Sequence, residues 1–280
     1  MTANVVTKLQ LDGNAVSSPF LERHPLNQEF KWVDHVGPRR ILTAAQVDEY
    51  DRQGFLVLES ALSGEVVESI VAALEPIVAK GERFHDAVFA TRPTTESSVL
   101  KECCRTAIFR DLCHDLIGDS VRLYWDQAVY KSPGRTSFAW HQDNGYQYIE
   151  PQHYLTCWIA LSDASAASGC PWVYPGVHRA GTLRHRSSDF GMTCVEPSRS
   201  CVDMLPGASI VPVRAGGMVV FSSLTPHATG PNLTSHERKA YILQFAPDGV
   251  EMVTDKGRHP CTSPAHFPIL VDGQPARDPT

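Results

Sequence analysis

The run Trp140-His141-Gln142-Asp143, answered far along the chain by His227 in Thr225-Pro226-His227-Ala228-Thr229, constrains this sequence more than any other feature. Two imidazoles and a carboxylate in the order H-x-D…H match the facial triad that leaves open coordination positions, the arrangement of non-haem Fe(II) oxygenases. Only a scaffold that lays distant segments side by side can bring the three together. Residues two apart on a strand share a face, so a strand through His141 and Asp143 is expected to present both to one metal ion. His227 follows the strand-like run Met218-Val219-Val220-Phe221 and is placed to close the triad from a neighbouring strand. The pair alone carries little weight: with 12 histidines in the chain, about 0.6 H-x-D pairs are expected by chance.

The residues after His227 strengthen it. Thr229 and Arg238 belong to a stretch that reads as a hairpin, with Gly230-Pro231-Asn232 as its turn and residues 240–245 as the returning strand. The return brings Arg238 back near the metal, where a guanidinium fork beside a hydroxyl suits the distal carboxylate of a dicarboxylate co-substrate. Gln127 and Lys131, one strand before the triad, are candidates for contacting co-substrate or substrate, with plain strand-surface roles as the alternative. Trp158 lies in an apolar strand and fits either core packing or the lining of the iron pocket. His153 and His185 remain unassigned.

These segments, in order, resemble the phytanoyl-CoA dioxygenase family, a branch of the Fe(II)/2-oxoglutarate oxygenases. The matching pieces are Asp126-Gln127 through Lys131 to Gly134, Trp140 to Asn144, and Leu155 through Trp158 to Leu161. Further along come Gly169 through Trp172 and Pro175-Gly176 to His178, then Gly217 to Phe221, and the hairpin from His227 to Phe245. The likeness runs from about residue 42 to residue 245. It implies a double-stranded β-helix (jelly roll), with His141, Asp143 and His227 as metal ligands and Arg238 with Thr229 as the 2-oxoglutarate clamp. It also implies Fe(II), 2-oxoglutarate and O2 as the reaction's requirements. Related halogenases replace the carboxylate ligand by a small residue, so Asp143 implies hydroxylation, desaturation or ring formation rather than chlorination. His178, in the Pro175-Gly176 turn of the family pattern, is read as structural.

Length and patterning agree. At 280 residues the chain is long enough for a sizeable core and is expected to form one domain, since sandwich and barrel domains run past 200 residues. Residues 1–40 are polar, with Pro25, Gly37 and Pro38, and read as an arm or lid. Residues 180–206, with Gly181, Gly191, Pro197 and Pro206, read as a lid-like insertion, and residues 255–280 as a wrapping tail. Substrate selection is expected from the arm, the insertion and residues 145–152. Residues 44–52 predict a short helix capped by Thr43 and ended by Gly54, and 55–59 a strand. Residues 63–80 predict the best helix, its apolar face running through Val66, Val67, Ile70, Leu74, Ile77 and Val78, with Pro76 kinking its last turn and Gly81 ending it. Residues 105–117 predict a further packing helix. From Val121 onward the pattern turns to strands, so the chain reads as mainly β with flanking helices.

A net charge of −6 provides no footprint for nucleic acid or an anionic membrane. Residues 1–16 carry polar and charged groups rather than the apolar stretch of a signal peptide, and residues 276–280 form no peroxisomal address. No run has the apolar length of a membrane span. A cytoplasmic protein acting on a small molecule is therefore expected, its oligomeric state undefined. The 8 cysteines form no C-x-x-C pair and read as reduced, mostly buried thiols. An acyl-CoA substrate is the alternative within the family, although the only compact basic groups are Arg39-Arg40 and Arg184-His185-Arg186. A metalloenzyme on the same fold that does not use 2-oxoglutarate would have no need of Arg238. A non-catalytic jelly-roll binding protein would more readily have lost a triad member.

Overall fold

The computed structural model describes residues 19–196 and 200–276. The expectations for residues 1–16, for 197–199 of the insertion and for the last four residues lie outside them.

Two helices and a strand open the fold. Helix α1 (Ala44–Gln53) starts on a reciprocal cap in which Thr43 Oγ1 accepts from the Gln46 N–H and the Gln46 side chain accepts from the Thr43 N–H. Gly54 ends it at φ +85°, a left-handed conformation that glycine adopts without a Cβ penalty. Strand β1 (Phe55–Leu58) leads to α2 (Gly64–Val78), which Ser63 caps and which ends two residues past Pro76. Strand β2 (Ala87–Thr91) follows. The single predicted helix over 105–117 proves to be the second of two, α3 (Ser98–Cys104) and α4 (Ala107–Leu116). Helix α3 is too short for its period to stand out in sequence.

Seven further strands build the two main antiparallel sheets. In chain order they are β3 (Val121–Lys131), β4 (Phe138–His141), β5 (Leu155–Ala160), β6 (Pro171–Val173), β7 (Met218–Ser222), β8 (His227–Thr229) and β9 (Arg238–Pro247). The larger sheet runs β1-β7-β5-β9-β3, extended beyond β3 by β2 and by the tail strand Pro268–Val271. The smaller sheet runs Ser209–Ile210, β6, β8, β4. The pair forms the jelly roll that the sequence led one to expect.

Alternation along the central strands sorts the side chains. On β5, Leu155, Cys157 and Ile159 point to the helices, and on β9 Tyr241, Leu243 and Phe245 do the same. They pack with Tyr50, Ile70, Leu74, Phe109, Leu112 and Leu116 into one apolar layer. The intervening residues, Thr156 and Trp158 on β5 and Arg238, Ile242 and Gln244 on β9, face a cavity between the sheets. The period of two thus assigns one face of each strand to stability and the other to the site.

The described parts of the segments read as arm, insertion and tail are packed. Asn27 donates to the carbonyls of Ala180 (3.0 Å) and Thr182 (2.8 Å), and the Trp32 indole and His35 ring bond the Asp51 carboxylate. Phe20, Leu183, Cys194, Val195 and Leu205 share an apolar cluster with Trp140. The tail adds Pro268–Val271 beside β3. All eight cysteines are unpaired, and six of them are buried, including adjacent Cys103 and Cys104 on α3; burial pushes the Cys103 thiol up to about 11.

Candidate active site

His141 ends β4 and His227 begins β8, and the two are register partners across the smaller sheet. Asp143 departs from expectation. The strand stops at His141, and Asp143 starts a short 3-10 turn, Asp143–Gly145. The turn, not strand alternation, aims the carboxylate at the histidines. Buried Asn144 anchors the turn, donating to Thr182 Oγ1 (2.7 Å) and accepting from the Ile149 N–H (3.1 Å). Gln142 is buried too, donating to the Gly181 carbonyl (3.0 Å) and accepting from the Leu183 N–H (2.6 Å). His185, unassigned from sequence, accepts from the Gln142 N–H at 2.8 Å and so braces the same turn from the 180–206 segment. His153 instead joins the outer cluster of Trp32, His35 and Tyr50, and His178 is a buried structural residue bonded to the Asp51 carbonyl.

Each ligand-type histidine has its Nδ1 occupied: His141 donates to the Ala139 carbonyl (2.7 Å) and His227 to that of Thr225 (3.0 Å). Both Nε2 lone pairs are thereby free and converge on Asp143 Oδ1, at 4.0 Å from His141 and 3.8 Å from His227. Those separations are too long for hydrogen bonds. They fit within about 4.2 Å, twice the ~2.1 Å of a metal–ligand bond, so a shared cation is what the three groups can satisfy together. Among the described residues they form the one His/Cys/Asp/Glu group with metal-binding proximity. Burial and the neighbouring His227 hold His141 well below the usual imidazole range, which keeps the neutral ring that a ligand must present. Thr156 on β5, overlooked in sequence, donates to Asp143 Oδ2 at 2.6 Å and fixes the carboxylate.

A cavity of 420 Å³ extends from this centre in both directions between the sheets. At one end lies Arg238, 1 % exposed, its Nε without a partner and its guanidinium carbon 5.3 Å from the Trp158 ring centroid. Among the described residues no carboxylate pairs with it. Burial lowers its pKa to about 10, so it stays cationic at neutral pH. An unpaired buried cation is costly, and a carboxylate-bearing ligand entering the cavity resolves that cost. Thr229 lines the cavity with it. Lys131, a candidate contact with a strand-surface role as the alternative, does not line the cavity: its Nζ turns to Thr229 Oγ1 (3.0 Å) and the Gly230 carbonyl (2.8 Å) and stands behind the hydroxyl. Arg238 and Lys131 are cross-strand partners, and burial together with Arg238 pushes Lys131 down to about 6. Trp158 and Gln127 both line the cavity, but Gln127 lies four residues along β3 from Lys131, about 13 Å at ~3.3 Å per residue.

The other end is walled by Tyr124, Trp125, Tyr154 and Gln244, none singled out in the sequence reading, and by Tyr146 and Gln147 of the segment 145–152. Thr156 and Gln244 were legible in principle, being in phase with Trp158 and Arg238 on their strands. Tyr146 and Gln147 come from a loop with no period to read. Of the three segments expected to select substrate, only 145–152 reaches the lining; the described parts of the arm and the insertion do not. They are tied to the outside of the smaller sheet by the bonds of Asn27 and the packing of Leu183.

Comparison with known proteins places this geometry. Residues 50–240 match the family model for phytanoyl-CoA dioxygenase (PhyH). The chain is 27 % identical over 218 residues to a methylphosphonate hydroxylase of Gimesia maris, covering 73 % of this chain and 80 % of the relative. It is 25 % identical over 263 residues to a phytanoyl-CoA dioxygenase of Arabidopsis thaliana, covering 76 % and 92 %. Among solved structures, the non-heme alpha ketoglutarate dependent carbocyclase SnoK from nogalamycin biosynthesis superposes with a TM-score of 0.66 at 22 % identity, over 83 % of this chain and 99 % of that one. The family match includes both the H-x-D turn and the buried arginine, and the chain therefore belongs to the phytanoyl-CoA dioxygenase family of Fe(II)/2-oxoglutarate-dependent oxygenases.

Proposed function

We propose that this protein oxidises an aliphatic C–H bond of a small molecule, by hydroxylation or by the related desaturation or ring formation, in specialised metabolism. In this reading His141 Nε2, His227 Nε2 and Asp143 hold Fe(II), and Arg238 with Thr229 holds the distal carboxylate of 2-oxoglutarate. The observation that carries it is the buried, carboxylate-free Arg238 in the same cavity as three converging ligand groups. When bound, iron and co-substrate supply the oxidative chemistry, in which O2, 2-oxoglutarate and R–H give succinate, CO2 and R–OH. The chain's own residues bind and orient. The Ala139 and Thr225 carbonyls fix the imidazole tautomers, Thr156 holds the carboxylate, Lys131 positions the Thr229 hydroxyl, and Trp158 covers the guanidinium. Asp143 occupies the carboxylate position, which favours oxygen transfer over halogenation.

The same proposal includes action in the cytoplasm, without nucleic-acid or membrane partners. Eight unpaired cysteines and a net charge of −6 support that reading, and no helix among the described residues is long and apolar enough to cross a membrane. An acyl-CoA substrate is disfavoured because one arginine of each compact basic group is already engaged: Arg40 with Asp111 and the Gly273 carbonyl, Arg184 with Glu22. The test is anaerobic loading with Fe(II) and then 2-oxoglutarate. The expected result is a weak visible charge-transfer band in wild type, absent from His141→Ala, with calorimetric 2-oxoglutarate binding lost in Arg238→Met. Iron-loaded wild type with neither band nor binding heat refutes the proposal.

A further inference from the structure

The cavity's inner ladder runs along two paired strands. From the clamp outward it passes Lys131/Arg238, Val129/Ala240, Gln127/Ile242 and Trp125/Gln244, each pair being cross-strand partners on β3 and β9. Charge is confined to the first rung. Among the described lining residues Arg238 is the one Lys or Arg and Asp143 the one carboxylate. Arg92 packs on the Trp125 ring at 4.5 Å, bonds His266 at 3.2 Å and does not line the cavity. Beyond the metal ligands, then, the walls are apolar and aromatic, with Phe89, Trp125, Phe138 and Ile242 prominent.

Three carboxamides, Gln127, Gln147 and Gln244, interrupt that wall. Gln244 is 8 % exposed, and neither its amide nor that of Gln127 has a hydrogen-bond partner among the described residues. Gln147, by contrast, is already spoken for, accepting from the Tyr124 hydroxyl at 2.8 Å. Gln127 and Gln244 are diagonal cross-strand neighbours, about 7–8 Å apart by sheet geometry and within reach of one small molecule. Gln244 is also the register partner of Thr156, whose hydroxyl holds Asp143, so this polar pair borders the ligand centre. Water serves the amides while the cavity is open. A substrate that expels that water must offer both donors and acceptors, since each carboxamide presents an NH2 and a carbonyl oxygen. A carboxylate or phosphate could accept from the two NH2 groups but would find no counter-cation among the described lining residues at this end, so its charge would be desolvated without compensation.

Resting on the oxygenase reading above, we infer that the substrate is uncharged, with an apolar or ring-bearing body and hydroxyl, carbonyl or amide groups that pair with Gln127 and Gln244. Substrates whose reacting end carries a carboxylate or phosphonate are disfavoured at this end of the cavity. The substrate enters a 420 Å³ space already shared with the co-substrate, toward the small end of ligand cavities at ~300–1,000 Å³, so a large molecule would insert only its reacting end.

A matched pair of probes tests this on the whole chain. Anaerobic protein loaded with Fe(II) and 2-oxoglutarate, which occupies Arg238, is titrated at pH 7.5 with 2-naphthamide and with 2-naphthoate, following tryptophan fluorescence and calorimetric heat. The expected result is a Kd for the amide at least tenfold below that for the carboxylate. Gln244→Leu and Gln127→Leu should each raise the amide Kd about five- to tenfold and leave 2-oxoglutarate affinity, which reports the intact clamp and fold, within twofold of wild type. Carboxylate binding as tight as amide binding, failure of both probes to bind, or an amide Kd unchanged in both variants overturns the inference. Failure of 2-oxoglutarate to bind wild type, seen before any probe is added, refutes the oxygenase reading instead.

Discussion

Thr156→Val isolates one hydrogen bond at the ligand centre. Threonine and valine share shape and β-branching, so the central strand β5 keeps its packing while Asp143 loses the donor 2.6 Å from its Oδ2. A hydrogen bond to an ionised group contributes about 1.5–3 kcal/mol. Independently, removal of a group that orients a metal ligand costs ~10–100-fold in affinity, which is about 1.4–2.7 kcal/mol. The two estimates agree because they describe one event: without Thr156 the carboxylate is free to rotate Oδ1 away from the two Nε2 atoms, now 3.8 and 4.0 Å from it. Anaerobic calorimetric titration with Fe(II), or with Mn(II) as a redox-stable substitute, should show the metal Kd raised about 10–100-fold in Thr156→Val. It should return to near wild type in Thr156→Ser, which keeps the hydroxyl. A metal affinity within about threefold of wild type in the valine variant, with only its melting temperature lowered, would refute the reasoning and reduce Thr156 to a packing residue.

Four further outcomes follow from buried groups. With its amine lowered to about 6 by burial and Arg238, Lys131 is mostly neutral at pH 7.5 until a carboxylate arrives, so 2-oxoglutarate binding should take up protons; calorimetry in two buffers of different ionisation enthalpy reads this, and a buffer-independent heat contradicts it. The folded value lies below the ordinary 10.5, so the unfolded chain holds the extra proton in that window and the free protein should gain stability as pH rises from about 6 toward 10.5. Asp51 and Asp115 are lowered despite burial, Asp51 by its bonds from His35 and Asp115 by the N–H groups of Leu42, Ile41 and Arg40 and the His114 ring. Their contribution is present above the unfolded value of 3.8 and lost as pH falls through the folded values; hydrogen exchange should show residues 35–42 losing protection there before the strands do. Gly54→Ala combines φ +85° with a Cβ 2.5 Å from His178 Nδ1 and 2.6 Å from Thr225 Oγ1. It should cost at least about 2 kcal/mol and lower Tm by roughly 4–8 °C; an unchanged Tm would show that His178 yields freely.

What local chemistry governs was legible from the chain. Thr43 and Gly54 bound α1 because capping and left-handed backbone depend on neighbouring residues alone. The apolar period of α2 and the alternation of β5 and β9 followed from the geometry of a single helix or strand. The H-x-D…H order, with Thr229 and Arg238 behind it, marked the candidate ligand set through resemblance. Tertiary structure decided what depends on contact between distant segments. Asp143 left the strand for a turn because Asn144, Gln142 and His185 find their partners in segments 38 to 43 residues away or further. Lys131 turned from the cavity to Thr229 because the register of β3 with β9 set it beside Arg238 and within reach of that hydroxyl. The unpaired amides of Gln127 and Gln244 became meaningful only in the folded protein. A sequence shows that a side chain can hydrogen-bond; whether a partner lies within 3 Å is decided by packing.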